Sequence, residues 1–185
     1  MKSRGALAVG WLIVVATLWV TPVGVYSLDA AQEREDSRVK ALFITHLFSF
    51  ISWPDGHQAQ RICTTQTSTL SEVLGEVLAT KPGLKVTLSV VSGEDPSALA
   101  ICNIWLLEDL NDLMRLQANR SPGPVLTIGN RQGFAEAGGM IELAGRSSRV
   151  TLIINRDHAE AAGFSISSKL LRLAKIVSTV GARNE

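Results

Sequence analysis

Three glycines fall within the stretch "GFAEAGGMIEL", Gly133 to Leu143, directly after the apolar run "VLTIG". Glycines that follow a strand let backbone amides close around a phosphate. A dinucleotide site needs G-x-G-x-x-G between a strand and a helix, so that the phosphate meets the helix N-terminus. Here Gly133 is followed by Gly138-Gly139 and then by a strand pattern, and no Gly-Lys-Ser/Thr follows to complete a P-loop. The glycines are therefore assigned to backbone geometry. "FAEAG" suits one helical turn, Gly138 suits its end with a positive φ, and Gly139 admits a close backbone approach.

Other chemistry-bearing residues are scattered. "GFSIS", Gly163 to Ser167, falls short of the nucleophile elbow G-x-S-x-G because its second glycine is missing. It also leads into a helix pattern with no strand before it, so Ser165 or Ser167 is expected to cap that helix. His46, His57 and His158 lack the H-E-x-x-H spacing of a zinc protease. The pairs Glu94-Asp95 and Glu108-Asp109 sit near turns and suit solvated turn and cap positions better than acid–base work. No catalytic constellation, metal set or cofactor motif emerges, and the chain is not expected to be an enzyme.

The N-terminus carries a different kind of information. Lys2 and Arg4 precede an uncharged, apolar run from Ala6 to Val20, followed by Pro22, Gly24 and small residues around Ser27 and Ala30. This is the order of a secretory signal peptide, expected over residues 1–27. The competing reading is an uncleaved anchor, because a bilayer span takes about 20 apolar residues. Either way the remainder is exported. In an oxidising compartment Cys63 and Cys102 are expected to form a disulfide, against the alternative of two buried free thiols. Closing a loop of about 40 residues is worth about 4 kcal/mol in the chain-entropy account. With 18 basic and 17 acidic residues there is no basic field to attract nucleic acid.

Elements able to position these residues alternate along the chain. Residues 28–36 are polar and predict a loose leader. Val39, Leu42, Phe43, Leu47 and Phe50 recur at helical spacing and predict one apolar face, stopped by "WPDG". "RICTT", "LKVTLSVV", "CNIWLLE" and "VLTIG" read as strands. "SEVLGEVLAT", with Ser71 as cap, and "DLNDLMRLQA" read as helices. "MIELAGRSSRVTLIIN" reads as a hairpin, and "RDHAEAAG" as a short helix ended by Gly163. A final helix is expected over residues 165–180, with Ile166, Leu170, Leu173 and Val177 on one face and Lys169, Arg172 and Lys175 as a basic stripe. This stripe suits an acidic partner surface or a solvated face. The alternation predicts an α/β fold, a layered and largely parallel sheet with helices on its faces and a C-terminal antiparallel hairpin.

Two stretches carry more than composition. "KALFITHLFSFISWP" resembles the N-terminal signature of the YfiR family. "VLTIGNRQGFAEAGGMIELAGRSSRVTLIINRDHAEAAGFSISSKLLRLAKIV" resembles its C-terminal signature through Gly133-Phe134, Gly138-Gly139-Met140-Ile141, Ile154-Asn155 and "ISSKLLRLAKIV". The resemblance covers about Val39 to Val177, within a domain expected over residues 37–180 and followed by a tail at 181–185. It implies that Cys63 and Cys102 form the family's core disulfide. It also implies a periplasmic, non-catalytic protein without cofactor or metal. Such a protein represses a membrane diguanylate cyclase of the YfiN type by binding its periplasmic sensor region, lowering cyclic di-GMP and biofilm formation. A YfiB-type outer-membrane lipoprotein and a homodimer are further partners it implies. Trp53, Lys169 and Arg172 are the residues selected for partner contact. The alternative reading is a periplasmic small-molecule-binding protein feeding a membrane receptor, with its ligand in the crevice at the carboxyl ends of the strands.

Overall fold

The computed structural model describes residues 25–54, 56, 60–92, 96–119, 123–146 and 149–178. Most of the expected signal peptide, His57, Glu94-Asp95 and the tail at 181–185 lie outside the described residues.

In chain order the elements are α1 (Val25–Leu47), β1 (Ile51–Ser52), β2 (Gln60–Thr64), α2 (Thr69–Ala79), β3 (Val86–Val90), α3 (Pro96–Ile101), β4 (Ile104–Leu107) and α4 (Leu110–Ala118). There follow β5 (Leu126–Gly129), β6 (Ile141–Ala144), β7 (Thr151–Asn155), α5 (Arg156–Ala161), β8 (Ser165–Ile166), α6 (Ser168–Leu171) and β9 (Lys175–Val177). Seven strands form one sheet in the order β3-β2-β4-β5-β6-β7-β9, and β1 pairs with β8 in a small separate one. Every neighbour in the large sheet is parallel except β6 and β7, which form the expected hairpin. The fold is the layered α/β arrangement that the alternating pattern predicts.

Both faces of the central strands are covered, which explains their unbroken apolar runs. On β4, Ile104 and Leu106 join the larger core with Ile62, Leu126 and Ile128. Trp105 and Leu107 point to the opposite face and join Cys63, Cys102, Leu113 and Phe134.

Helix α2 buries Val73, Leu74, Val77 and Leu78, as its periodicity predicts. Its cap is one turn earlier than expected. Ser68 is the N-cap: its hydroxyl accepts from the Ser71 amide at 3.1 Å, and the Ser71 hydroxyl accepts from the Ser68 amide at 2.8 Å. This reciprocal box satisfies two amides that the helix leaves free. Ser68→Ala should cost about 1 kcal/mol, read as a lower midpoint in urea unfolding.

Three expectations are corrected. Residues 28–36 are not a loose leader but part of α1. The buried stripe of α1 matches the predicted one only at Leu47. Ser37, Ala41, Ile44, Thr45 and Leu47 are buried, whereas Leu42 and Phe43 are 37% and 40% exposed. Ser37, Ala41 and Thr45 recur every fourth residue on the buried side of α1. Glu33 meets the Thr69 hydroxyl at 3.1 Å and Thr45 meets Lys81 Nζ at 3.2 Å, so the two helices run in the same sense.

The third correction concerns the C-terminus. Instead of one helix over 165–180, the chain forms β8, the single turn α6 and β9. Ile51 and Ser52 pair with Ile166 and Ser165, and β9 pairs in parallel with β7 from Ile153↔Lys175 to Asn155↔Val177. Sheet pairing at both ends outweighs the helical period between them, leaving Leu173 81% exposed.

Candidate functional site

The glycine-rich stretch proves to be a clasp. Parallel strands β5 and β6 need a crossover, and here Asn130 to Met140 supplies it without a regular helix. Successive turns hold the segment, with Ala137 N donating to Gly133 O at 2.9 Å and Gly139 N to Phe134 O at 2.9 Å. Phe134 is fully buried between two glycines, Gly129 and Gly139, and a β-carbon at either would overlap its ring. Gly138 has φ +99°, a left-handed conformation open to glycine. Its carbonyl accepts from His158 Nδ1 at 2.8 Å and from Gln117 Nε2 at 3.2 Å. The expected positive φ at Gly138 is present, whereas at Gly139 the expected close backbone approach is replaced by the ring of Phe134.

Buried polar residues complete the clasp. Glu142, 1% exposed, accepts from the amides of Ala135 at 3.0 Å and Gly133 at 3.3 Å. Asn155 donates to Ala135 O at 2.9 Å and accepts from His158 N at 3.1 Å, capping α5. The Thr127 hydroxyl accepts from Met140 N at 2.9 Å. These partners satisfy amides that a buried irregular segment would otherwise leave at a cost of about 1–3 kcal/mol each. The amides turn inward to Glu142, which leaves no cradle for a phosphate.

The remaining sequence candidates are dispersed. Among the described residues, His46 is exposed with Nδ1 on its own helix's Leu42 O at 2.8 Å. Ser167 caps α6, and Asp109 caps α4 by accepting from Asn111 N at 2.8 Å. Glu108 does more than sit in a turn, because it accepts from the Ser68 hydroxyl and from Asn130 Nδ2 at 3.1 Å. No group of three His, Cys, Asp or Glu side chains able to hold a metal is found among the described residues, and no described helix is long and apolar enough to cross a membrane. Lys169 and Arg172 are exposed on and just after α6, but Lys175 lies on β9, so the three do not form one helical stripe. Trp53 is half-buried, its ring edge-on to Phe164 with centroids 4.9 Å apart.

The cysteines are joined. Cys63 of β2 is bonded to Cys102, which precedes β4, and both are buried under Trp105 and Leu113.

Two hollows border these elements. One, of about 820 Å³, is open, lies beside the clasp and is mostly apolar, with Gln117 and His158 already committed to Gly138 O. The other, of about 600 Å³, is polar and lies past the carboxyl ends of the parallel strands. Its lining includes Asp36, Lys40, Glu108, Asn130, Arg131 and Arg146. Lys40 is half-buried there, and burial lowers its pKa against the raising influence of Asp36 and Glu108. Sequence spacing cannot assemble this set, because its members come from α1 and from three separate strand ends. The available signal is Glu108 and Asn130, each directly after an apolar strand, with Arg131 next to Asn130.

A mostly parallel, disulfide-linked α/β domain with an open carboxyl edge is the class that this fold and these sites define. The chain belongs to the YfiR/HmsC-like family, whose model matches residues 37–175. No curated protein sequence matches it. Among solved structures, it resembles an ABC domain from Streptococcus pneumonia in complex with L-Trp, with 12% identity and a TM-score of 0.51 over 77% of this chain and 60% of that one. A conserved domain protein from Vibrio cholerae is similar, with 13% identity and a TM-score of 0.50 over 76% of this chain and 59% of that one. The chain thus spans about three fifths of the length of these structures, and at such identity the likeness is one of fold.

Proposed function

We propose that this protein is an exported, non-catalytic regulator. It binds the periplasmic sensor region of a membrane-bound diguanylate cyclase and represses it, which lowers cyclic di-GMP and biofilm formation. Membership of the YfiR/HmsC-like family over residues 37–175 carries this reading. The buried Cys63–Cys102 bond supports an oxidising compartment, reached by removal of a signal peptide over residues 1–27. Residues 28–36 then open the exported chain ahead of the domain at 37–180. An outer-membrane lipoprotein that sequesters the repressor, and a homodimer, belong to the same proposal.

Partner contact is assigned to Lys169 and Arg172, which are exposed, and to Trp53, which is half-buried. Charges at an interface rim act mainly on association rate and salt dependence. A Lys169→Glu/Arg172→Glu variant should therefore bind the purified sensor region on the order of tenfold more weakly, with its melting temperature unchanged. Isothermal titration calorimetry checks this. Undiminished affinity would remove these residues from the interface, and no binding by the wild type would remove that partner.

A further inference from the structure

The polar crevice past the carboxyl edge of the sheet has the placement and charge of a ligand site. From β2 the chain passes to β3 on one side and then returns to β4 on the other. The strand order therefore reverses between β2 and β4, and open α/β sheets bind ligands outside the carboxyl ends at such a reversal. Thr69 and Leu70, which follow β2, and Glu108, which follows β4, all line the crevice. Asn130 and Arg131 after β5 and Arg146 after β6 extend it, and α1 closes it with Asp36 and Lys40.

The lining carries both signs of charge. A simple anion would face Asp29, Glu33, Asp36 and Glu108, and a simple cation would face Lys40, Arg131 and Arg146. A ligand bearing both charges meets neither penalty. The Glu108 carboxylate is already oriented by Ser68 and Asn130, as a preorganised recognition group requires. Asp36 is 8% exposed, so a charge it meets is shielded from water. Guanidinium groups match a carboxylate in two-point geometry.

We propose that this crevice binds a small polar zwitterion of the α-amino-acid class, its carboxylate toward Arg131 and Arg146 and its ammonium toward Asp36 and Glu108. None of Trp53, Lys169 and Arg172 lines the crevice, so the site stands or fails independently of the cyclase contact.

The test is calorimetry and thermal denaturation of the exported protein with each of the standard amino acids at millimolar concentration. Putrescine and succinate serve as probes carrying one sign of charge only. At least one polar amino acid should bind and raise the melting temperature, while putrescine and succinate do neither. Arg131→Ala/Arg146→Ala, altering two exposed side chains, should lose about tenfold or more in affinity without changing the unliganded melting temperature. Glu108→Gln should weaken the same ligand. No response to any amino acid overturns the proposal. So does equal binding of the singly charged probes, or undiminished binding by the double arginine variant.

Discussion

Loss of the Cys63–Cys102 bond should lower the melting temperature of the exported domain by about 10 °C. The bond closes 39 residues of chain, worth about 4 kcal/mol in the loop-entropy account. In a domain of this size each kcal/mol moves the midpoint by about 2–4 °C. The bond ties the segment entering β4 to β2, whose Cys63 pairs in register with Trp105. It thereby fixes the β2–β4 junction at which the strand order reverses. Because both cysteines are buried, reductant reaches the bond only after opening, so the folded protein should be reduced slowly. Cys63→Ala/Cys102→Ala should show the full shift without reductant in a thermal scan. An unchanged midpoint in that variant would show that packing around Trp105 and Leu113 suffices. If the proposed regulator depends on the rigidity of this junction, the same variant should also repress more weakly.

Phe134→Ala should cost about 3–5 kcal/mol, because the ring is fully buried and fills the space between Gly129 and Gly139. Gly139→Ala should be damaging for the opposite reason, since its new methyl would occupy the volume of the ring. The two effects are coupled. In Gly139→Ala/Phe134→Leu the smaller side chain makes room, so the double variant should be more stable than the sum of the single losses predicts. Urea denaturation of the wild type, Gly139→Ala, Phe134→Leu and the double variant measures the coupling. Strict additivity would show that Gly139 is required by its backbone rather than by the ring. Either result separates the clasp from a phosphate loop, where glycine substitution would be expected to act on ligand binding.

The sheet and its order of helices are legible because the strands are short apolar runs separated by turn residues, and α2 has a single clear period. The C-terminus is not. Ser165 to Val177 has helical spacing at Ile166, Leu170 and Leu173, but the decisive partners, β1 and β7, are distant in sequence. The face of α1 is misjudged for a related reason. Leu42 and Phe43 are apolar and large, yet the side of α1 that faces the rest of the domain carries Ser37, Ala41, Ile44, Thr45 and Leu47. The clasp is half legible. Glycine geometry follows from residue type, whereas Glu142 reads as the polar position of an alternating strand until its inward amide partners are seen. The crevice is least legible, because charged residues from separate elements leave no motif.

Repression of a cyclase is tested most directly by intracellular cyclic di-GMP in a strain lacking this gene but retaining its membrane diguanylate cyclases. The level should rise on deletion, return when the exported protein is supplied, and stay high when the Lys169→Glu/Arg172→Glu variant is supplied instead. An unchanged level in the deletion strain, with an intact cyclase present, would contradict the account.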